Sequence, residues 1–265
     1  MFTKKTARWS VVVHVIGEDK PALSIGAKRE LRTASVGKLL ILTELAARLE
    51  VGTEYPNATV DRRDMPAVGG TGLWQSMTAD TLSVSDAAVL VGAHSDNLAA
   101  NALTHQLGLD AVNERAETLG MGRARLLDTI KDQRDVGEPA TFSLGSAADW
   151  AMFAERLATN TLVSPGVSER VGAWMGRNAD LSLIASTVFL DPLNHERAVG
   201  DGVLLRNRTG SDMGVSADIG YLVGRTRTVA YAAIANWDEA EQPTTRTWVR
   251  TDMREIGETV RRLAA

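Results

Sequence analysis

The chain has 265 residues, of which 44% are apolar and 23% charged, and a net charge of −4. That is enough length to bury a substantial core, in an ordinary globular composition. Acidic and basic residues are interspersed, without the basic face that nucleic acid requires. The absence of cysteine excludes disulfides, thiolate chemistry and Cys-ligated zinc.

From the N-terminus, residues 9–16 are rich in β-branched side chains and predict a strand. Gly17 to Pro21 is a turn, and residues 22–25 return as a second strand, so the chain opens with a hairpin. Thr33-Ala34-Ser35 then leads into residues 36–49, apolar nearly all round, which predicts a buried helix. Residues 51–82 are mixed, with Gly69-Gly70-Thr71-Gly72 marking a loop. Helices are predicted at 84–93, 97–107 and 109–119, the last two closed by Gly108 and Gly120. A polar, irregular stretch at 126–143 is the longest loop, two helices follow at 147–159 and 164–177, and 190–202 is a further loop. Strands are predicted at 203–208, 219–223 and 228–236, and an amphipathic helix at 247–263.

Strands at both ends and helices between them predict an α+β fold. Its sheet lobe, an antiparallel sheet flanked by helices, draws on residues 1–45 and 203–265, and an all-helical lobe at 46–202 is inserted. The terminal helix is expected to pack on the sheet rather than against a second copy, so a monomer is expected. No stretch approaches the roughly 20 apolar residues of a membrane span. The apolar run after the basic N-terminus is too short and too β-branched for an export signal. The sequence as it stands therefore predicts a cytoplasmic location, or a periplasmic or secreted one where an export signal has been trimmed away.

Three short motifs carry chemistry. Ser35-Val36-Gly37-Lys38 is S-x-x-K, Ser95-Asp96-Asn97 is S-D-N, and Arg208-Thr209-Gly210 is K-T-G with Arg in place of Lys. Each alone has a bland reading. A serine ahead of an apolar helix is an N-cap, S-D-N before a helix is a capping sequence, and R-T-G is a strand end with a turn. In this order and setting they read as one site. A serine hydroxyl is a weak nucleophile and needs a base, and the i, i+3 spacing puts Lys38 within reach of Ser35. Burial and a second cation, for which Arg208 is the candidate, would lower the Lys38 pKa. Ser95 can relay a proton to a leaving group. Asn97 can hold the substrate or Lys38, while Arg208 and Thr209 can bind a substrate carboxylate. Gly210 would let a ligand approach the strand, and the backbone N–H groups of Ser35 and Ser211 would form an oxyanion hole. Trp74 borders the expected cleft, where it either stacks on substrate or anchors its loop. The four histidines are scattered without metal-ligand spacing, and neither a metal nor a cofactor is expected.

The three motifs together resemble those of class A β-lactamases and penicillin-binding proteins, over nearly the whole chain. Gly70-Thr71-Gly72-Leu73, the run from Ser95 to Leu103, and Leu127-Asp128 resemble further segments of that family. The resemblance implies a β-lactamase/transpeptidase-like fold and acylation of Ser35 by a β-lactam or related acyl donor, without metal. It also implies an Ω-loop glutamate three residues after the Asp of the Leu-Asp pair, and this chain has Lys131 there. Glu138, followed like the family's glutamate by proline, is the candidate deacylating base, with Asp132 and Asp135 as alternatives. The departure leaves open an esterase, amidase or D-alanyl peptidase, or a sensor-like protein that traps a β-lactam without releasing it.

Overall fold

The structure is a computed structural model and describes residues 7–195 and 202–265; part of the loop predicted at 190–202 lies outside the described residues. The chain begins with β1 (Arg8–Val15), β2 (Leu23–Ile25) and the two-residue β3 (Leu31–Arg32). A 3-10 turn at Ala34–Gly37 leads into α1 (Lys38–Val51). β4 (Thr59–Asp61) and β5 (Thr81–Ser83) pair as a small ladder. Three helices follow: α2 (Val84–His94), α3 (Asn97–Leu107) and α4 (Leu109–Thr118). β6 (Arg125–Leu126) and β7 (Ser143–Gly145) bracket the long polar segment, and α5 (Ala147–Ala158) and α6 (Pro165–Met175) complete the helical part. The chain ends with β8 (Leu204–Asp212), β9 (Val215–Val223), β10 (Thr228–Asn236) and α7 (Thr245–Ala264).

The main sheet has the order β2-β1-β10-β9-β8, with every neighbouring pair antiparallel. Its seam is β1 against β10, in register from Arg8↔Asn236 to Val15↔Val229. The strands at the two ends of the chain thus share one sheet, and the α+β class read from the sequence holds. Period-2 alternation divides the two faces. Trp9, Val11, Val13 and Val15, with Val229, Tyr231, Ala233 and Ala235, pack under Val249, Met253, Ile256 and Val260 of α7. Val12, Ile219, Ala230, Ala232 and Ile234 turn the other way, into a core shared with α1, α2, α3, α5 and α6. α1 lies in the middle of that core, with Leu39, Leu40, Ile41, Leu42 and Leu45 buried.

Two differences from the sequence expectation have a common cause. β8 continues past Arg208 to Asp212, and β9 starts at Val215 rather than 219. Asn207, Arg208, Thr209, Ser216 and Asp218 are all buried in these strands. Polar residues inside a sheet break the apolar alternation by which a strand is recognised. The ladders β4–β5 and β6–β7 are too short to show any alternation.

The last strands press closely on the turn before α1. A Cβ on Gly210 would overlap Thr33 O and stand 3.1 Å from Val36 N and 3.2 Å from Ser35 N. A Cβ on Gly37 would stand 2.5 Å from Ser143 Cβ. The glycine of the third motif therefore serves the approach of protein to protein, and not the approach of a ligand. Ser143 Oγ donates to Ala34 O at 2.7 Å and shares a 2.7 Å hydrogen bond with Thr33 Oγ1. These contacts hold Ala34 at φ +46°, a left-handed conformation costly for a residue with a side chain. Substituting Gly210→Ala should cost about 1–3 kcal/mol of stability by overpacking. It should also displace the Ser35 turn, read as a lower urea midpoint together with slower modification of Ser35.

Asp218 stands on the α7 face of β9, fully buried. Its Oδ1 accepts from Asn207 Nδ2 at 3.2 Å and Tyr231 Oη at 3.4 Å, and its Oδ2 accepts from Ala185 N at 3.4 Å. Burial pushes its pKa up to about 8 against these bonds. Because the folded pKa lies above the unfolded one, the folded state holds the extra proton. Stability is then greatest below the unfolded carboxyl pKa and is lost as pH rises through about 8. Each pH unit over which the two states differ is worth about 1.4 kcal/mol. Between pH 6 and pH 9 the urea midpoint of the wild type should fall, and that of Asp218→Asn should fall much less.

Candidate active site

The three motifs meet at one place. Ser35 sits in the turn before α1, and Lys38 is the first residue of that helix. Ser95 is the residue between α2 and α3, with a left-handed backbone at φ +56°. Its N–H donates to Val91 O at 3.2 Å and that of Asp96 to Leu90 O at 3.3 Å, so the end of α2 fixes it. Asp96 caps α3 by accepting from Ala99 N at 2.9 Å, and its other oxygen takes the N–H groups of Leu73 and Trp74 at 2.7 and 2.8 Å. One carboxylate thereby ties the 69–74 loop to the S-D-N corner.

Lys38 is fully buried. Its Nζ donates to Ser95 O, to Ser95 Oγ at 3.2 Å and to Asn97 Oδ1 at 2.6 Å. Burial drives its pKa well below the ordinary lysine range, the Arg208 charge pushes the same way, and Asp96 opposes. Asn97 is committed to this arrangement. Its Nδ2 donates to Gly69 O at 2.8 Å and its backbone N–H to Thr71 O at 3.0 Å. Of the two uses considered for its amide, holding Lys38 is the one the geometry displays. Thr71, which the sequence marked only as part of a loop, donates from Oγ1 to Ser95 O at 2.8 Å and supports the same corner.

A cleft of 310 Å³ opens over Ser35, Ser95, Thr209 and Ser211, with Thr71 and Asp180 also on its walls. Arg208 does not line it. Its guanidinium is buried, with Nε donating to Ser35 O at 3.3 Å and Nη1 to Gly92 O at 3.1 Å. Desolvation lowers its pKa to about 10, and Asp180 works against that. The expected bidentate grip on a substrate carboxylate is replaced by a grip on the protein's own backbone beneath Ser35. Thr209 faces the cleft, yet its hydroxyl donates to Asp180 Oδ2 at 2.7 Å. Asp180 was missed from the sequence, where it follows a helix in no recognisable motif.

Two expectations are corrected. Glu138 does not line the Ser35 cleft. It borders a separate groove of 880 Å³ with Asn101, His105 and Ile130. Its carboxylate accepts from Lys131 Nζ at 2.6 Å and Asp135 N at 3.0 Å. The Lys131 bond holds its pKa below the usual glutamate range, which weakens it further as a base. Lys131 also pairs with Asp128 at 2.9 Å, so a salt-bridge network within the loop engages Glu138, the residue expected to activate water. The alternative Asp132 accepts from Gly69 N at 3.0 Å and Asp135 borders the same separate groove. Trp74, the other corrected residue, is completely buried, and its Nε1 donates to Ala79 O at 2.8 Å. It is a loop anchor and offers no face to a ligand. Among the described residues no group of three or more His, Asp or Glu is arranged to hold a metal ion, and no helix is long and apolar enough to cross a membrane.

Among solved structures, a β-lactamase from Sphaerobacter thermophilus superposes with a TM-score of 0.76 at 21% identity, covering 87% of this chain and 83% of that one. PBP-A superposes with a TM-score of 0.80 at 16% identity, covering 97% and 91%. A mutant of PBP-A, captured as an acyl-enzyme complex with penicillin G, gives 0.76 at 17% identity over the same shares. At these identities the likeness is one of fold. No curated protein matches. The profile of the Beta-lactamase enzyme family matches residues 1–260, and the chain belongs to that family.

Proposed function

We propose that this protein is a serine hydrolase of the β-lactamase type, in which Ser35 is acylated by a β-lactam or a related ester or amide. The observation that carries this reading is the state of Lys38, an amine stripped of water, aimed at Ser95 and Asn97 and one helical turn from Ser35. With its pKa lowered, a lysine supplies a free amine closer to neutral pH. Lys38 takes the Ser35 hydroxyl proton as Oγ bonds to the acyl carbon. Ser95, in hydrogen-bond contact with Lys38, passes a proton to the departing nitrogen or oxygen. The backbone N–H groups of Ser35 and Ser211 receive the oxyanion. Ser35 and Ser211 both line the cleft, which supports the last assignment.

For the second half of the reaction a different reading is favoured. Glu138 and Lys131 are bound to each other away from the cleft, so no activated water is assigned to the Ω-loop. Slow release is the consequence, and the protein then works as a slow hydrolase or as a trap for acyl groups. The acyl-enzyme captured for a mutant of PBP-A is in keeping with acylation as the first step.

Intact-mass measurement after exposure to an activated, uncharged aryl ester should show one acyl adduct on the wild type and none on Ser35→Ala. Equal modification of the two proteins, or of neither, would overturn the reading. The acylation rate of the wild type should rise with pH through an apparent pKa well below that of an ordinary lysine, because protonated Lys38 is no base. Lys38→Met should lower the rate at least a hundredfold and remove that rise, as read by stopped-flow release of the phenol.

A further inference from the structure

The Ser35 cleft has a charged wall that the sequence did not disclose. Among the described residues Asp180 is the only carboxylate lining it, neither Lys nor Arg lines it, and His94 is the other titratable side chain on its wall. The side chain is held at both oxygens, Oδ2 by Thr209 Oγ1 at 2.7 Å and Oδ1 by Ser182 N at 3.0 Å. Its main chain is fixed as well. Asp180 O accepts from Asn178 Nδ2 at 2.9 Å, and the preceding Ala179 N–H donates to Ala93 O at 2.9 Å. A carboxylate tied down in this way cannot swing aside for a ligand.

Two further observations fix its effect on a substrate. Arg208, next to Thr209 in the chain, is buried and spends Nε and Nη1 on backbone carbonyls; its Nη2 is out of contact with solvent and has no partner among the described residues. Asp180 and that guanidinium attract each other, which offsets part of the pull of Arg208 on an incoming anion. The Thr209 hydroxyl, the donor that a substrate carboxylate would need, has donated its one proton to Asp180. The hydroxyl expected from the sequence to hold a substrate carboxylate is thus taken by the protein's own.

We propose that Asp180 makes this cleft selective for acyl donors whose leaving group carries a neutral or cationic substituent, and selective against anionic ones. The inference rests on acylation of Ser35 as proposed above. It points to esters and amides without a leaving-group carboxylate, among them amino-bearing ones, and makes ordinary carboxylate-bearing β-lactams poor substrates. In the step concerned, Ser35 Oγ bonds to the acyl carbon, the bond from that carbon to the leaving oxygen or nitrogen breaks, and the Ser35 proton reaches the leaving atom through Lys38 and Ser95.

Three aryl phenylacetates test this, differing only in the meta substituent of the leaving phenol: carboxymethyl, hydroxymethyl or trimethylammoniomethyl. Acylation is read as phenol release and as mass gain, each corrected for spontaneous hydrolysis. In the wild type the cationic ester should react fastest and the anionic one slowest, at least tenfold apart. Salt at 1 M should narrow that span by screening, a measurement that needs no variant. Asp180→Asn should reduce the span to less than threefold, with the anionic ester gaining most. An anionic ester as fast as the cationic one in the wild type overturns the selection while leaving acylation intact, as does a span unchanged in a folded Asp180→Asn. If none of the three esters modifies the wild type, acylation itself is overturned, and the selection with it.

Discussion

A primary amine buried without a counter-ion in direct contact is the constraint around which the site is arranged. Leaving a protonated Lys38 there would cost several kcal/mol. The protein responds with three oxygen acceptors, two from Ser95 and one from Asn97, and with a pKa moved toward the uncharged form. Those acceptors must be held still, and most of the surrounding structure does so. Ser95 is locked in a left-handed conformation by the end of α2, Asn97 is braced by the 69–71 backbone, and that loop is tied down by Asp96 and by the buried ring of Trp74. Arg208 adds charge beneath and fastens the backbone of the nucleophile. Burial and the Arg208 charge together favour the uncharged amine, the form that can take up a proton.

The sheet contributes through shape. β8 reaches the Ser35 turn only because Gly210 has no side chain, and α1 reaches β7 only because Gly37 has none. Two elements distant in the chain thereby meet at van der Waals distance, and Ala34 is held in a conformation that it would not adopt alone. The position of Ser35 is thus set by packing from two directions, β8 and β7.

Much of this was legible in the sequence, for physical reasons that differ from residue to residue. The sheet and helices were readable because their periodicities are strong. The Ser35, Lys38, Ser95 and Asn97 set was readable because a helix turn and a helix cap fix those spacings locally. What escaped was decided by contacts between remote segments. Asp180 meets Thr209 across 29 positions, and nothing in its own neighbourhood announces that meeting. Arg208 suited a substrate carboxylate by its chemistry, and only its burial shows that backbone carbonyls take its donors. Glu138 was singled out by the proline after it, but the decisive neighbour is Lys131, which claims its oxygen. Trp74 was ambiguous between stacking and anchoring until its indole N–H was seen to be used.

The β6–β7 ladder has a separate implication. Its pairs, Arg125↔Leu144 and Leu126↔Ser143, close the polar excursion of residues 127–142 at its base, and Ser143 simultaneously braces Ala34. Because the ends are clamped, lengthening the excursion adds only a slowly growing loop entropy, but Asp132 within it also holds Gly69, whose carbonyl takes the Asn97 amide. The excursion is therefore fastened twice, at its base to the Ser35 turn through Ser143 and at Asp132 to the loop that braces Asn97. Changes of length between those fastenings are tolerated more readily than the loss of either one.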